Sequence, residues 1–229
     1  MFEYSVVVPV YNEEGSLDAL FKEIKEQMDA LNSPYEIVFV DDCSSDGSFS
    51  KLEGFQKKWP ESTHLVKLSQ RSGQTHAMRK GLDSSRGRFV ITLDADLQND
   101  PADIPRLLAK MNEGYDMVCG WRKERMDTPL KKYLSKLGNV AQRLISGLAI
   151  HDVSCTLRVF KRECVPSVAL NWEGQHRFIP LSLFKNGYRI GEIVSHHRQR
   201  RFGVSKYSHR RIFRVVVDFF RMLSDRSAQ

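Results

Sequence analysis

The sequence lacks the patterns that identify several common classes of protein. Its four cysteines form no C-x-x-C pair and take no zinc-type spacing with histidine. They are Cys43, Cys119, Cys155 and Cys164. We therefore predict reduced, mostly structural thiols, as in a cytosolic protein. Neither G-x-G-x-x-G nor G-x-x-x-x-G-K-[ST] occurs, so the sequence gives no support to a dinucleotide-binding or P-loop protein.

Long apolar runs are also missing. No stretch reaches the roughly 20 apolar residues of a membrane-spanning helix, and no basic region of the signal-peptide type precedes the first predicted strand. Apolar residues make up 41% of the chain, which is ordinary for a globular protein. The net charge is +7, so the expected partners are anionic: nucleic acid, nucleotides, phospholipid surfaces or phosphorylated lipids.

Strand and helix signals alternate through the first half of the chain. Apolar, β-rich runs predict strands at residues 4–10, 35–40, 64–68, 89–93 and 116–120. Helical spacing predicts helices at residues 17–31, 49–59, 73–85 and 101–113. Such repeated units predict an α/β fold with a parallel, doubly wound sheet, which binds ligands at the carboxyl ends of its strands.

The second half has a different character. It predicts a long helix at 130–150, a strand at 158–162, a helix at 178–186, a strand at 189–195 and a basic loop at 196–207. In a final helix near 209–225, charges at 211, 214, 218, 221 and 225 fall on one stripe. This stripe predicts an amphipathic helix in a membrane interface, with a docked helix or an oligomer contact as the alternative. We predict a domain at 1–208 and this extension at 209–229.

The most informative stretch is Leu93-Asp94-Ala95-Asp96-Leu97-Gln98, which follows an apolar run. If the stretch is extended, Asp94, Asp96 and Gln98 project from one face. Three oxygen ligands favour Mg²⁺ or Mn²⁺ holding a diphosphate, whereas an acidic turn is the alternative. Further polar clusters follow other predicted strands, at Tyr11-Asn12-Glu13, Asp41-Asp42 and Gly120-Trp121-Arg122. Four such clusters at one sheet edge favour an active site.

The motifs, in their order, resemble a known enzyme family. Val8-Pro9-Val10-Tyr11-Asn12-Glu13, Asp41-Asp42-Cys43-Ser44-Ser45-Asp46-Gly47 and Asp94-Ala95-Asp96-Leu97-Gln98 resemble family 2 glycosyltransferases of the GT-A fold. Later motifs resemble its polyprenyl-phosphate branch, which includes dolichyl-phosphate mannosyltransferases. These are Gly120-Trp121-Arg122, Asp152-x-x-Cys155-x-Leu157-Arg158-x-Phe160-x-Arg162, His176-Arg177-Phe178-x-Pro180 and Arg201-x-Gly203-x-Ser205-Lys206-Tyr207.

The resemblance implies a GT-A domain that transfers one sugar, with inversion and with Mg²⁺ or Mn²⁺, from GDP-mannose or a UDP-hexose to polyprenyl phosphate. Donor-binding residues would be Pro9, Tyr11, Glu13, Asp41 and Asp94, and metal ligands Asp94, Asp96 and Gln98. Acceptor-phosphate cations would be Arg122, Arg158, Arg201 and Lys206, and catalytic residues Asp96, Asp152, Arg122 and Arg201. Two alternatives stay open: Asn12 and Glu13 cap the first helix, and Asp152 forms a salt bridge with a nearby arginine.

The expected partners are a nucleotide-sugar donor, a polyprenyl-phosphate acceptor, an anionic membrane surface, and a membrane-protein partner or second copy, but no nucleic acid. The expected location is cytoplasmic, peripheral to the inner face of the membrane. Two other hypotheses remain: a family 2 enzyme acting on a polysaccharide or protein, and a non-enzymatic basic module that binds nucleic acid or anionic membrane. The residues do not identify the sugar.

Overall fold

A computed structural model describes residues 1–123, 142, 143, 145–200, 218 and 221. Several predictions fall outside these residues: the roles of Arg201 and Lys206, most of the helices at 130–150 and 209–225, and the boundary at 208. No helix in the described ranges is long and apolar enough to cross a membrane.

Seven strands and five α-helices organise the described chain. The strands are β1 (Tyr4–Val10), β2 (Tyr35–Asp41), β3 (Thr63–Lys67), β4 (Phe89–Thr92), β5 (Met117–Trp121), β6 (Arg158–Lys161) and β7 (Ile190–Val194). The helices are α1 (Glu14–Ala30), α2 (Ser48–Lys58), α3 (Gln74–Ser84), α4 (Ile104–Met111) and α5 (Ile179–Lys185). Short 3₁₀ turns occupy Pro101–Asp103, Arg162–Ser167 and Gln175–Phe178.

All seven strands form one sheet in the order β3-β2-β1-β4-β6-β5-β7. β1 runs parallel to β2 and β4, and β7 runs parallel to β5. β6 is antiparallel to both of its neighbours, so the sheet is mostly parallel, as the resemblance implies, with one reversed strand. Because β6 enters in the opposite direction, its first residue, Arg158, pairs with Thr92 and Cys119 near the ends of β4 and β5. The loop that precedes β6 thus reaches the edge where the parallel strands β4 and β5 end.

The strands are apolar throughout because both faces of the sheet are covered. In β1, Val6 and Val8 pack into a core on the α1 and α4 side, whereas Val7 packs into a second core with Met78 of α3. Each core is a continuous set of buried side chains. The rigid sheet between the two cores fixes where its strand ends project.

Two predicted elements end earlier than the sequence suggests. β4 stops at Thr92, and residues 93–98 leave the sheet as a turn in which Leu97 has a φ of 60°. The extended geometry predicted for Asp94, Asp96 and Gln98 is therefore wrong, since a left-handed residue breaks the alternation of faces. The helix predicted at 130–150 does not reach 150: residues 145 and 146 are helical, and Gly147 follows with a φ of 74°.

Candidate active site

Asp41 is the last residue of β2, and only one of its two carboxylate oxygens has a hydrogen-bond partner among the described residues. The side chain is fully buried, and its Oδ2 accepts a hydrogen bond from the Ser44 backbone N–H at 3.2 Å. Its Oδ1 is buried and has no hydrogen-bond partner among the described residues. Buried polar atoms almost always find a partner, so this oxygen suits a donor group on a ligand.

Asp42, the next residue, has a structural role. Its carboxylate accepts the backbone N–H groups of Ser72 at 2.6 Å and Gly73 at 2.9 Å. Gly73 has a φ of 92°, a conformation that glycine tolerates well, and α3 begins at the next residue. Asp42 therefore fixes the start of α3 at the same sheet edge.

The turn after β1 is hydrogen-bonded to the loop after β2. Asn12 accepts the Ser45 backbone N–H at 2.8 Å through its side-chain oxygen. Glu13 precedes α1 without a side-chain capping bond, and its carboxylate lies 3.5 Å from Nη1 of Arg200. The alternative in which Asn12 and Glu13 cap α1 is wrong, because both side chains face other segments.

Pro9 and Tyr11 frame the neighbouring surface. Pro9 is buried within β1, opposite Val40 of β2. The guanidinium carbon of Arg71 lies 4.2 Å from the centre of the Tyr11 ring, a cation–π distance. The structure places Pro9, Tyr11 and Asp41 at one end of β1 and β2, as a shared donor site requires.

Asp94 is held by residues from distant parts of the chain. Its carboxylate accepts hydrogen bonds from Gln74 at 2.6 Å and Thr156 at 2.7 Å. Burial and, after it, the negative charge of Asp96 together raise the pKa of Asp94 to about 6, against the opposing Thr156 hydrogen bond. The two carboxylates therefore lie close enough to repel one another.

Asp96 is already paired with a cation. Only 8% of the residue is exposed, and its Oδ2 accepts a 2.6 Å hydrogen bond from Nη2 of Arg200. Its Oδ1 accepts the Gln98 backbone N–H at 3.1 Å, within the turn at Leu97. Asp96 is thus a buried carboxylate whose charge the fold compensates with an arginine.

The predicted metal ligands form an oxygen-only set. The described residues contain no group of three or more His, Cys, Asp or Glu side chains arranged to hold a metal. The donors in question are the two carboxylates of Asp94 and Asp96 and the amide of Gln98, and a cation between the carboxylates would relieve their repulsion. This set fits Mg²⁺ or Mn²⁺, which take their remaining ligands from water and phosphate oxygens.

Arg122, just after β5, forms a forked ion pair with Asp152. Nε and Nη2 of Arg122 donate to the two carboxylate oxygens at 2.7 and 3.0 Å, and Nη2 also donates to Ser154. Burial alone would lower the pKa of Arg122, yet the Asp152 carboxylate holds it above its ordinary value. The salt-bridge alternative for Asp152 is therefore what the structure shows.

Arg158 is almost completely buried, unlike an ordinary surface arginine. Only 1% of the residue is exposed, and it donates to the backbone carbonyls of His176, Val153 and Arg177 at 2.7 to 3.1 Å. Burial lowers the pKa of Arg158 from its ordinary value. These contacts give Arg158 a structural task, and its contact with an acceptor phosphate stays a prediction without support from this geometry.

Glu192 of β7 positions the loop that carries Asp152. One carboxylate oxygen accepts the backbone N–H groups of His151 at 2.8 Å and Asp152 at 3.0 Å. The other oxygen lies 2.8 Å from Nδ1 of His151. The His151 ring stacks on Trp121, with 4.0 Å between ring centres. Glu192, Asp152 and Arg122 therefore form a continuous chain of polar contacts.

A comparison with protein families decides the family of the chain. The model described as "Glycosyl transferase family 2" matches residues 5–167. The chain belongs to glycosyl transferase family 2. The recognition made from the motifs is therefore confirmed, and so is the GT-A type of fold, a seven-stranded sheet flanked by helices.

Similar proteins extend this family assignment. A dodecaprenyl-phosphate galacturonate synthase of Rhizobium johnstonii is 36% identical over 225 residues, covering 96% of this chain and 66% of the relative. Glucosyl-3-phosphoglycerate synthase of Mycobacterium tuberculosis, solved with Mn²⁺ and UDP-glucose, has a TM-score of 0.69 at 17% identity, covering 96% and 78%. S. aureus TarS has a TM-score of 0.62 at 16% identity, covering 84% and 59%. The two solved structures show a shared fold.

In this family 2 protein the fold brings most of the predicted residues to one sheet edge and adds three that the sequence did not indicate. These are Gln74 and Thr156, which bind Asp94, and Arg200, which binds Asp96. Arg200 lies in the basic loop that the sequence analysis identified, but the motif drew attention to Arg201 instead. Gln74 and Thr156 are uncharged residues whose proximity to Asp94 depends on the tertiary fold alone.

Proposed function

We propose that this protein transfers one sugar from a nucleotide-sugar donor to polyprenyl phosphate, with inversion and with the help of Mg²⁺ or Mn²⁺. The observation that carries the proposal is the environment of Asp94. Its carboxylate accepts a 2.7 Å hydrogen bond from Thr156, which lies four residues after Asp152, the ion-pair partner of Arg122. A carboxylate pair suited to a metal diphosphate thus adjoins a cationic region within one site. The relative named as a dodecaprenyl-phosphate galacturonate synthase supports the acceptor class.

On the donor side, the Oδ1 of Asp41, which has no partner within residues 1–123 and 145–200, would accept a hydrogen bond from the base or ribose, beside Pro9 and Tyr11. Glu13, on the adjoining turn, would border the same pocket. Asp94, Asp96 and Gln98 would hold the divalent cation. When bound, that cation supplies positive charge to the diphosphate that leaves with the nucleoside.

On the acceptor side, a lipid phosphate is already anionic near neutral pH and needs little activation. Its oxygen would attack the anomeric carbon from the face opposite the departing diphosphate, which inverts the configuration. Two phosphate groups must then approach each other, and arginine forks stabilise such an arrangement well. We assign this task to Arg122, Arg201 and Lys206, with Asp152 keeping the Arg122 guanidinium in a fixed orientation.

The acceptor's tail implies work at a membrane surface. The net charge of +7 favours anionic phospholipids, and the predicted amphipathic helix at 209–229 would lie in the interface. We accordingly propose a peripheral location on the cytoplasmic face of the membrane.

The test is a transfer assay with purified protein, Mn²⁺, a short-chain polyprenyl phosphate and a panel of radiolabelled UDP- and GDP-sugars. The panel includes uronic acid donors, because a relative is named for galacturonate. A labelled glycolipid that is absent with EDTA is the expected result. Consumption of a donor only with soluble carbohydrate acceptors would replace the lipid acceptor by the alternative class. No transfer from any donor to either acceptor class would overturn the enzymatic proposal.

A further inference from the structure

Residues 196–200, here named the basic strap, run along the acidic segment at 96–103. The two segments are antiparallel, with a bridge between Asn99 and His197 and a 2.9 Å hydrogen bond from the Arg198 N–H to the Gln98 carbonyl. Every second side chain of the strap forms an ion pair with an acidic residue of that segment. The pairs are Arg200 with Asp96 at 2.6 Å, Arg198 with Asp100 at 2.6 Å, and His196 with Asp103 at 3.0 Å.

Two of these three pairs serve local structure. Asp100 also accepts the Ala102 backbone N–H at the start of the 3₁₀ turn, and Asp103 is fully buried and paired with Arg106 as well. These acids have fixed tasks whether or not a ligand is present. Arg198 and His196 therefore anchor the strap to the sheet edge.

The third pair is different because Asp96 belongs to the proposed metal site. The Arg200 guanidinium bonds one oxygen of Asp96 and lies 3.5 Å from Glu13, with only 18% of its side chain exposed. A cation at hydrogen-bond distance from a carboxylate competes with any metal ion that needs the same oxygen. Arg200 thus supplies the positive charge that the carboxylates of Asp94 and Asp96 require when no metal is bound.

We propose that Arg200 is an internal counter-ion that competes with the divalent cation for Asp96 and makes metal binding depend on the donor. This inference rests on the proposed function and concerns the regulation of the same site. A nucleoside diphosphate offers Arg200 new anionic partners, which guanidinium groups bind in forked geometry. The guanidinium then leaves Asp96 to the metal. Because linkage is reciprocal, the metal must also strengthen nucleotide binding by the same factor.

The test measures Mn²⁺ binding directly, by titration with detection of the free ion by electron paramagnetic resonance, with and without UDP or GDP. In the wild-type protein, the nucleotide should tighten Mn²⁺ binding. Arg200→Gln should bind Mn²⁺ alone about tenfold more tightly than wild type, within the usual range of coupling between sites. In this variant the ratio of Mn²⁺ affinities with and without nucleotide should approach one, because Arg200 no longer competes for Asp96.

Two further variants serve as controls for effects that do not depend on the pairing of Arg200 with Asp96. Arg198→Gln removes the neighbouring strap cation, which pairs with Asp100 and Glu23, and should keep the wild-type Mn²⁺ affinity. Arg200→Lys keeps a positive charge and should stay closer to wild type than Arg200→Gln. Thermal melts of all variants verify folding. The proposal is overturned if Arg200→Gln binds Mn²⁺ alone no more tightly than wild type, including the case in which neither binds it.

The outcome is separable from that of the transfer assay. A protein that makes glycolipid while Arg200→Gln shows unchanged Mn²⁺ affinity retains the proposed function and loses this inference. Conversely, tighter Mn²⁺ binding by Arg200→Gln in a protein that transfers no sugar retains the inference about Arg200 and overturns the function.

Discussion

The carboxylates and the guanidinium groups of this site are held in opposite ways. On the proposed donor side, Asp41 has one oxygen without a partner among the described residues, and Asp94 repels Asp96. On the proposed acceptor side, Arg122 is held by Asp152, and deeper in the fold Arg158 is held by three carbonyls. Arg200 compensates the charge of Asp96, but Asp94 and the open oxygen of Asp41 have no cation at ion-pair distance among the described residues, whereas Arg122 and Arg158 are fixed in advance by the fold.

This difference has a physical basis. A metal diphosphate brings both positive and negative charge, so the protein can leave a compact acidic cluster for it to complete. A second phosphate brings only negative charge close to the first. Its binding therefore depends on cations that the fold has already placed, so that no reorganisation is needed when it binds. The variants below test this contrast, beginning with the one that should lose the most activity.

Removing the charge of Asp96 should cause the largest loss. In Asp96→Asn, kcat for glycolipid formation should fall by about 100-fold or more, because the site loses charge where it stabilises the leaving diphosphate. Steady-state kinetics at saturating donor and Mn²⁺ measure it. Asp100→Asn is the matched control, since that acid pairs with Arg198 away from Asp94. Equal losses in both variants would contradict a special role for Asp96.

Replacing the buried cation Arg158 should mainly cost stability. In Arg158→Leu, the carbonyls of residues 153, 176 and 177 lose their donors, which should lower the free energy of unfolding by about 3 kcal/mol. Urea denaturation measures it, with Arg79→Leu as the control at a partly exposed site that also bonds a carbonyl. If Arg158→Leu is as stable as wild type but binds the acceptor poorly, Arg158 contacts the acceptor instead.

The raised pKa of Asp94 predicts a pH-dependent penalty on stability. Its pKa is about 6 in the folded protein against 3.8 for the ordinary carboxyl, so the folded state binds the proton more tightly. Its contribution is fully present below about pH 4 and is lost as the pH rises through about 6. Without metal, Asp94→Asn should therefore be more stable than wild type by about 3 kcal/mol at pH 7.5, and the difference should vanish near pH 4.

Urea denaturation in EDTA at the two pH values measures this difference. Asp116→Asn serves as a control of opposite sign: despite burial, the Lys161 hydrogen bond lowers the pKa of Asp116, so its charge stabilises the fold above pH 4. An Asp94→Asn variant with the same pH profile as wild type would show that the donor carboxylates do not destabilise the empty site.

Loosening the anchor of the acceptor side should have the smallest effect. In Glu192→Ala, the loop at 151–152 loses three contacts, so Arg122 should bind the acceptor less well and raise its KM about tenfold. Glu192→Gln should restore the KM, since its amide oxygen still accepts the two backbone N–H groups. Donor binding, followed by nucleotide-induced thermal shifts, should not change. A parallel loss of donor affinity would indicate a general structural defect.

The sequence predicted most strand positions because a buried strand in a two-sided sheet is a continuous apolar run that ends at a polar residue. β1 has the predicted bounds, and β2 extends one residue further, to Asp41. The direction of β6 was not predictable, since a four-residue strand carries no sign of its orientation. The turn after Thr92 was missed for a similar reason: nothing in Leu97 suggests a left-handed residue.

The residue types of the site were easier to predict than the burial of each side chain or the partner that it contacts. Charge alone did not distinguish Arg158, buried against carbonyls, from a ligand-binding arginine. Nor did it distinguish Arg200 from Arg201, because adjacent loop residues differ only in where the tertiary fold directs them. The role of Glu192 was invisible, since its partners are mostly backbone groups.

The reversed direction of β6 has a consequence for how such a protein can be re-engineered. The chain leaves one edge of the sheet at the end of β5 and is back at the same edge at the start of β6, so these two strand termini lie side by side. The sheet needs only the two strand termini to stay where they are. Because the forked ion pair of Arg122 and Asp152 joins the segments that follow β5 and precede β6, an exchange of the residues between them would have to keep that pair.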